Sequence, residues 1–494
     1  MKRIAVIGAG LGGLSAAIRL ARAGHDVTVF EKNDSAGGKM HRLQLGAYTF
    51  DTGPTLVTMP FVLEELFRAA GEDPARHLTL TPLDPSCRYT FSDGSQLDTS
   101  NDMAELEARI SAFSPSDAGA FTRFLRRGER IYNAAAQPFL FSGFGSWSMG
   151  DILRSMRHLP AVPRLDSGRT LHEAVAEAFH DERLRQLFDR FATYNGSSPF
   201  RAPATLAIIP YVEFAFGGWY VDGGLYEIAR ALHGVAERVG VSFRFDAEVR
   251  QITTERRSVR GVQLHDGSRH EADVVISNAD ASYTMQTLLR DTAGIPHTQW
   301  SALEPSLAGY IMYLGVKREY PQLAHHNIFF SRDYRREFAQ LVDEGVPADE
   351  PTIYVSTSSR ANPSHAPAGS MNLFVLVNAP ALNGRVSWPA EKLRYRDIVL
   401  RRLEACGLDA LEAHIEEEAI VTPDEFEART HALHGSIYGS SSNNRFSAFL
   451  RPPNRSRHVR GLYFAGGTAH PGGGIPLVLL SGKIVAELIE GARD

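Results

Sequence analysis

Cysteine is scarce in this chain of 494 residues: there are two, Cys87 and Cys406, far apart and with no CxxC between them. That argues against a disulfide framework and a thiolate zinc site, so no metal is expected, and it fits a reducing compartment. Charge of one sign is not in excess either. Lys plus Arg (52) against Asp plus Glu (57) gives −5, which offers no footprint for nucleic acid. No window approaches the ~18 uninterrupted apolar residues of a spanning helix. Met1-Lys2-Arg3 and the apolar run after it resemble a secretory signal peptide, but Gly8, Gly10, Gly12 and Gly13 break the run and Arg19 and Arg22 follow it. Neither an internal repeat nor a low-complexity tract is evident. What remains is ordinary globular composition, 43% apolar and 22% charged, spread over roughly three domain-equivalents at about 150 residues each.

Residues 3–7 read as a buried parallel strand, 13–23 as a helix stopped by Gly24, and 27–30 as a second strand, which makes one βαβ unit. Residues 55–220 look mostly helical, with a Pro-, Phe- and Gly-rich break at 138–150. Strand patterning returns at 241–278, with a meander from Ile252 to Leu264 and a hairpin turn at Asp266-Gly267. Residues 305–318, 351–357 and 371–378 give strands of a second sheet. Residues 461–494 read as a strand, a Gly/Pro-rich loop and a last helix.

Gly8-Ala9-Gly10-Leu11-Gly12-Gly13 fits GxGxxG in the context its mechanism needs: after a strand, opening a helix, with Glu31 ending the next strand. Gly8 permits the tight turn, Gly10 lets a pyrophosphate approach the helix N-terminus, Gly13 permits close packing, and Glu31 accepts from a ribose hydroxyl while repelling a 2′-phosphate. The signal continues in Ser35-Ala-Gly-Gly38-Lys39 and in Asp51-Thr-Gly53-Pro54-Thr55, where flavoproteins carry a second loop. Only one dinucleotide fingerprint is present. The reading is therefore FAD that takes electrons from the substrate and passes them to oxygen, a quinone or another carrier.

Several further stretches carry a resemblance to a known family. The strongest is Gly466-Gly467-Thr-Ala469-His470-Pro471-Gly-Gly-Gly-Ile475-Pro476-Leu-Val-Leu-Leu-Ser-Gly482. It is supported by Asp51 to Thr55, Asn195 to Phe200, Trp219 to Gly224, Ser277-Asn278-Ala-Asp280, Leu323 to His326 and His434 to Ser436. Together these stretches resemble the bacterial and fungal type of phytoene desaturase (carotenoid desaturase), in the amine-oxidase-like flavoprotein superfamily. Ala469, the long glycine run and Gly435-Ser-Ile-Tyr-Gly439 resemble more closely the branch that desaturates hydroxylated carotenoids at the 3,4 position. Lys39 stands where arginine is commoner, which keeps the charge and loses the fork.

The resemblance implies an α/β (α+β overall) fold. A Rossmann-like FAD-binding domain would be assembled from 1–75, 222–285 and 430–494, with a largely helical substrate- or membrane-facing subdomain at 76–221 and a mixed-sheet substrate domain at 286–429. It implies FAD held by Gly8, Ala9, Gly10, Gly12, Gly13, Glu31 and Lys32, by Gly38, Lys39, Gly53, Pro54 and Thr55, by Val249 near the adenine, and by Asn278, Gly466, Gly467, Ile475 and Pro476. His470 and Pro471 would lie near the reactive ring, or His470 would merely cap its loop.

A polyene desaturase needs little acid–base help, because hydride loss leaves a cation delocalised over neighbouring double bonds. This agrees with the absence of a Ser/His/Asp set or a paired-carboxylate motif. The substrate is a different problem. A hydrocarbon of ~40 carbons would cost tens of kcal/mol to place in water, at about 0.8 kcal/mol per carbon, so a lipophilic carotenoid must arrive from a membrane surface. The expected location is peripheral, on the cytoplasmic side. Pro138 to Phe141, Phe144, Trp147, Met149, Ile152, Leu153 and Met156, with Arg154, Arg157 and Arg164, read as a membrane-facing patch or as core under a helical subdomain. Asp151 and Arg154 read as a surface pair or as polar groups at a tunnel mouth. His325-His326, in a loop, reads as no metal site. Three other readings stay open: a small-substrate amine oxidase, a flavin-free prenyl-lipid carrier, and a saturase or isomerase.

Overall fold

The computed structural model describes residues 1–136, 140–142, 165–290, 292, 294, 300, 303–444 and 451–491. Asp151 and Arg154, and with them most of the apolar patch expected at 138–156, lie outside the described residues.

The apolar run Arg3–Ile7 forms β1, the glycine turn after it opens helix α1 (Leu11–Arg22), and the chain returns as β2 (Asp26–Phe30), parallel to β1. Three distant strands complete this sheet, all parallel: β9 (Ser242–Arg244) beside β2, β13 (Val274–Ser277) beside β1, and β19 (Leu462–Phe464) beside β13. Val6 and Ile276 are fully buried, as parallel strands covered on both faces require. The C-terminal helix Ile475–Gly491 lies against α1. A Cβ on Gly482 would come within 2.5 Å of the Gly12 carbonyl oxygen, so glycine sets how closely the two helices pass.

The second sheet has seven strands in the order β18 (Ile415–Val421), β14 (Ala308–Val316), β17 (Met371–Ala379), β16 (Ile353–Ser356), β15 (His326–Phe329), β6 (Cys87–Thr90) and β7 (Gln96–Thr99). Every pairing is antiparallel except β15 with β6. One face is sealed: Tyr310, Met312, Val375 and Val377 pack with Trp388, Tyr395 and Val399 of the helix Trp388–Ala405. Residues of opposite parity, such as Ile311, Phe374 and Leu376, therefore face the other way, into a cavity shared with the parallel sheet.

The meander at 252–264 is present as β10 (Val249–Glu255), β11 (Ser258–Leu264) and β12 (Arg269–Glu271). Its first turn is made by Arg256 and Arg257, at φ 46° and 60°, where a two-residue turn of this hand ordinarily takes Asn and Gly. Two small antiparallel pairs, β3 (His41–Leu45) with β4 (Tyr48–Thr52) and β5 (Leu80–Pro82) with β8 (Trp219–Val221), complete the strands.

Among its described residues the segment 76–221 is mostly helical, with four short strands that the sequence pattern did not show. Helices Ala120–Ala135, Leu171–Ala178, Glu182–Asp189 and Ile208–Phe216 do bury a shared aromatic core around Phe121, Phe124, Phe188 and Phe214. The segment also supplies β5 to β8, and β6 and β7 extend the large sheet. The local cause is a hairpin: Phe91 N–H donates to the Ser95 carbonyl at 3.0 Å across Gly94 at φ 80°, and Cys87 and Tyr89 alternate inward about Arg88. His326 likewise opens a strand. Its ring meets the His325 ring edge-on at 4.5 Å, so the two do not face apart.

Candidate functional site

The turn between β1 and α1 leaves its backbone open. Gly8 sits at φ 93°, a conformation other residues adopt only with strain. Gly10 caps α1 with no side-chain bond to the first helical N–H groups, so these donors are left for an anion. Asn278, one residue past β13, fills the centre of the glycine cluster. A Cβ on Gly10, Gly12 or Gly466 would come within 2.6–2.7 Å of its side-chain amide. A Cβ on Gly13 would meet the Gly8 carbonyl at 2.3 Å. Gly13 therefore serves packing, and neither it nor Ala9 is among the residues that line the cavity.

Glu31 leaves β2 directly into this site and is buried. It does more than face a ligand. Its Oε2 accepts from Ala9 N–H at 2.7 Å, and its Oε1 accepts from Asn33 N–H at 3.0 Å and from the Asn33 amide at 2.8 Å. The same carboxylate thus holds the glycine turn and lines the cavity. Lys32 and Val249 line it as well, and burial lowers the Lys32 ammonium.

The second loop closes over the first. Gly53, at φ 100°, lets the chain after β4 pass the Lys39 carbonyl, which a Cβ would approach to 2.2 Å. Asp51 anchors this segment, accepting from Tyr220 OH at 3.0 Å and from Leu225 N–H at 2.9 Å. Lys39 lines the cavity. Its Nζ donates to the Ile437 carbonyl at 2.8 Å and lies 5.1 Å from the Phe426 ring centre. Burial pulls its ammonium down to about 8, with Asp280 opposing. Asp280 is raised by burial while accepting from Ser282 and Tyr283 N–H.

At the C-terminal strand, Gly466, Gly467, Pro471, Ile475 and Pro476 line the cavity. His470 does not. It is buried, its ring Nε2 is 3.2 Å from the Ser142 carbonyl, and its own carbonyl accepts from Asn454 at 2.7 Å and Ser481 at 2.8 Å. The structure places it as an anchor of the loop.

The lining groups named above border one cavity of about 620 Å3, reaching from Gly8 and Glu31 to the open face of the large sheet. That size is in the range of ligand sites. The far wall is apolar, with Leu206, Ile208, Val212, Ile311, Phe374 and Leu376, and it contains a polar group made by buried Arg190, Glu213 and His326 and half-buried Tyr194 and Tyr354. The Asn195 stretch and the His325-His326 pair point toward this wall in the sequence, whereas nothing in the local pattern marks Arg190 or Glu213. The uncapped donors of α1, the glycine cradle and Glu31 fit a dinucleotide. Among the described residues, no group of three or more His, Cys, Asp or Glu is placed to hold a metal, and no helix is long and apolar enough to cross a membrane.

The sequence matches the family model of flavin-containing amine oxidoreductases over residues 11–490. It is 35% identical over 489 residues to 1-hydroxycarotenoid 3,4-desaturase of Flavobacterium sp. (strain P99-3), covering 99% of both chains. It is 37% identical over 487 residues to the zeta-carotene-forming phytoene desaturase of Myxococcus xanthus, covering 98% of this chain and 93% of that one. Over 490 residues it is 36% identical to 4,4'-diapolycopene oxygenase of Methylomonas sp., covering 99% and 98%. Among solved structures, an oxidoreductase from Methanosarcina mazei superposes with TM-score 0.67 at 19% identity, covering 98% of this chain and all of that one. Putrescine oxidase superposes with TM-score 0.62 at 15% identity, covering 99% of each. These two likenesses concern the fold.

Proposed function

Because the chain belongs to the family of flavin-containing amine oxidoreductases, we propose that it is an FAD-dependent carotenoid desaturase, removing two hydrogens from adjacent carbons of a linear polyene of the C40 type. The observation that carries this reading is the single cavity. It joins a dinucleotide-type turn to an apolar sheet face, in a chain whose full-length relatives include desaturases of such polyenes.

FAD, when bound, supplies the acceptor for the hydride. The chain's residues do the rest. The first N–H groups of α1 would bind the pyrophosphate, with Gly8, Gly10 and Gly12 keeping side chains out of its way, and Glu31, which holds the turn, would meet the ribose. Ala9 and Gly13 act from behind the wall. Lys39, Gly53 to Thr55, Gly466, Gly467, Ile475 and Pro476, which line the same cavity, would hold the rest of the group. Ile311, Phe374 and Leu376 orient an extended chain by shape and exclude water from it. Burial keeps the Tyr354 phenol protonated and the His326 imidazole neutral, so neither of these two is a strong base, consistent with a substrate that loses its proton readily.

The FAD-binding unit is assigned to 1–75, 222–285 and 430–494, the large sheet at 286–429 to substrate binding, and 76–221 to the substrate's covering wall. The insolubility of the substrate argues for delivery from a membrane, taken here as its cytoplasmic face, and the single dinucleotide fingerprint argues for oxygen or a quinone as terminal acceptor. Incubation of the holoprotein with liposomes carrying phytoene or a 1-hydroxycarotenoid tests the proposal. A red-shifted product spectrum from either supports it and distinguishes the branch, and no shift from either overturns it.

A further inference from the structure

Two cations are held by consecutive carbonyls of the stretch Gly435-Ser-Ile-Tyr-Gly439. Lys39 Nζ donates to the Ile437 carbonyl at 2.8 Å, and Arg451 Nη1 donates to the Tyr438 carbonyl at 2.6 Å. Both side chains line the cavity, and Arg451 is 8% exposed. Three other cations of the lining have a carboxylate acting on them: Asp280 on Lys39, Glu31 and Glu248 on Lys32, and Glu213 on Arg190. Among the described residues Arg451 has none. Burial alone shifts it, down to about 10, so it is still charged at neutral pH. A charge kept this far from water without a counter-charge is costly unless an anion comes to it.

The segment after Arg451 fixes where that charge stands. The Pro452 carbonyl accepts from His470 N–H at 2.9 Å, and the Asn454 amide donates to the Phe464 carbonyl at 3.1 Å and the His470 carbonyl at 2.7 Å. Arg451 is thereby held against the loop that runs from Gly466 to Ile475. A Cβ on Gly472 would stand 3.7 Å from Arg451 Nε, and one on Gly473 would stand 3.1 Å from the Tyr438 ring. The loop ends at the N-terminus of the C-terminal helix Ile475–Gly491, whose first N–H groups add to the positive potential.

Resting on the reading of an FAD-dependent desaturase, we propose that Arg451 stabilises the negative charge that arrives with the hydride and so sets how easily the bound flavin is reduced. The charge balance asks for such a group. The C–H bond that breaks sends its electron pair and one proton, as hydride, to the flavin, and the polyene keeps a positive charge until it releases a proton to water. One negative charge therefore stays in the cavity until the electrons pass to oxygen or a quinone. A fixed cation with no carboxylate beside it favours that charge without any rearrangement at the moment of transfer. Lys39 serves less well, because Asp280 opposes it and burial brings it down to about 8.

Holoproteins carrying Arg451→Met and Arg451→Lys are compared with the wild type by equilibration against dyes of known potential, with flavin absorbance as the readout. Arg451→Met should weaken reduction by about tenfold or more, a midpoint lower by about 30 mV or more for a two-electron couple, and Arg451→Lys, which keeps the charge, should stay within about threefold of the wild type. The wild type gives an independent reading: at mildly acidic pH, the slope of its potential against pH should count one proton for each pair of electrons. An Arg451→Met protein with normal flavin content and an unchanged potential overturns the assignment. So do equal losses in the two variants, which mark a packing role, and a wild-type slope that counts a second proton. Polyene turnover alongside any of these results leaves the desaturase reading standing. The expected shift in a flavoprotein that turns over no polyene upholds the role of Arg451 and overturns that reading.

Discussion

Replacing Glu31 by glutamine separates two jobs that the structure gives to one carboxylate. Three donors converge on it: Ala9 N–H on one oxygen, and the Asn33 N–H and side-chain amide on the other. Glutamine keeps one oxygen and presents an NH2 group in place of the second, so whichever side it serves, the other side meets a donor. Hydrogen bonds to charged groups contribute about 1.5–3 kcal/mol, and a buried donor left unpaired costs about 1–3 kcal/mol. The variant should therefore lose about 2–3 kcal/mol of stability as apoprotein, before any ligand is present. It should also hold FAD more weakly by about tenfold or more, since the turn that aims the α1 donors is no longer tied to β2. Urea unfolding of the apoprotein reads the first effect, and flavin absorbance per chain after purification reads the second. A variant with unchanged apoprotein stability and lost flavin would refute the anchoring role. A variant unchanged in both would remove Glu31 from the site.

Three other substitutions probe the rest of the cavity. Lys39 is held at about 8 by burial, against 10.5 when free. Between those values the unfolded chain binds the extra proton, so apoprotein stability should rise as pH climbs from about 8 to 10.5. Lys39→Met should flatten that rise in urea midpoints measured across the range, and an equal rise in the variant contradicts the assignment. Leu376→Trp places an indole on the open face of β17 and should cut polyene turnover by about tenfold or more with flavin content unchanged; full turnover would mean that the substrate runs elsewhere. His470→Gln should lower thermal stability while leaving turnover per bound flavin within a few-fold, because the ring lies off the cavity; a loss of orders of magnitude in turnover with normal stability would make it a catalytic group.

How much of this was legible in the amino-acid order depends on the range over which each signal acts. The turn from β1 to α1 is local: four apolar residues, glycines where a backbone must be approached, and Glu31 just after β2 appear within thirty residues, and their steric and hydrogen-bonding demands are met within that span. The two long strands β14 and β17 were equally readable, being continuous apolar runs. β6 and β7 were not, because four residues of alternation are too short to stand out in a helical neighbourhood until β15 offers an edge to pair with. The sequence alone therefore determined the dinucleotide turn and the two sheets, since periodicity and steric permission are properties of neighbours along the chain. Only the tertiary structure decided that Glu31 bonds Ala9, that His470 is kept out of the cavity lining, and that Arg190, Tyr194 and Glu213 are joined by hydrogen bonds on its wall. Burial and pairing are properties of groups brought together from distant parts of the chain, and no local pattern encodes them.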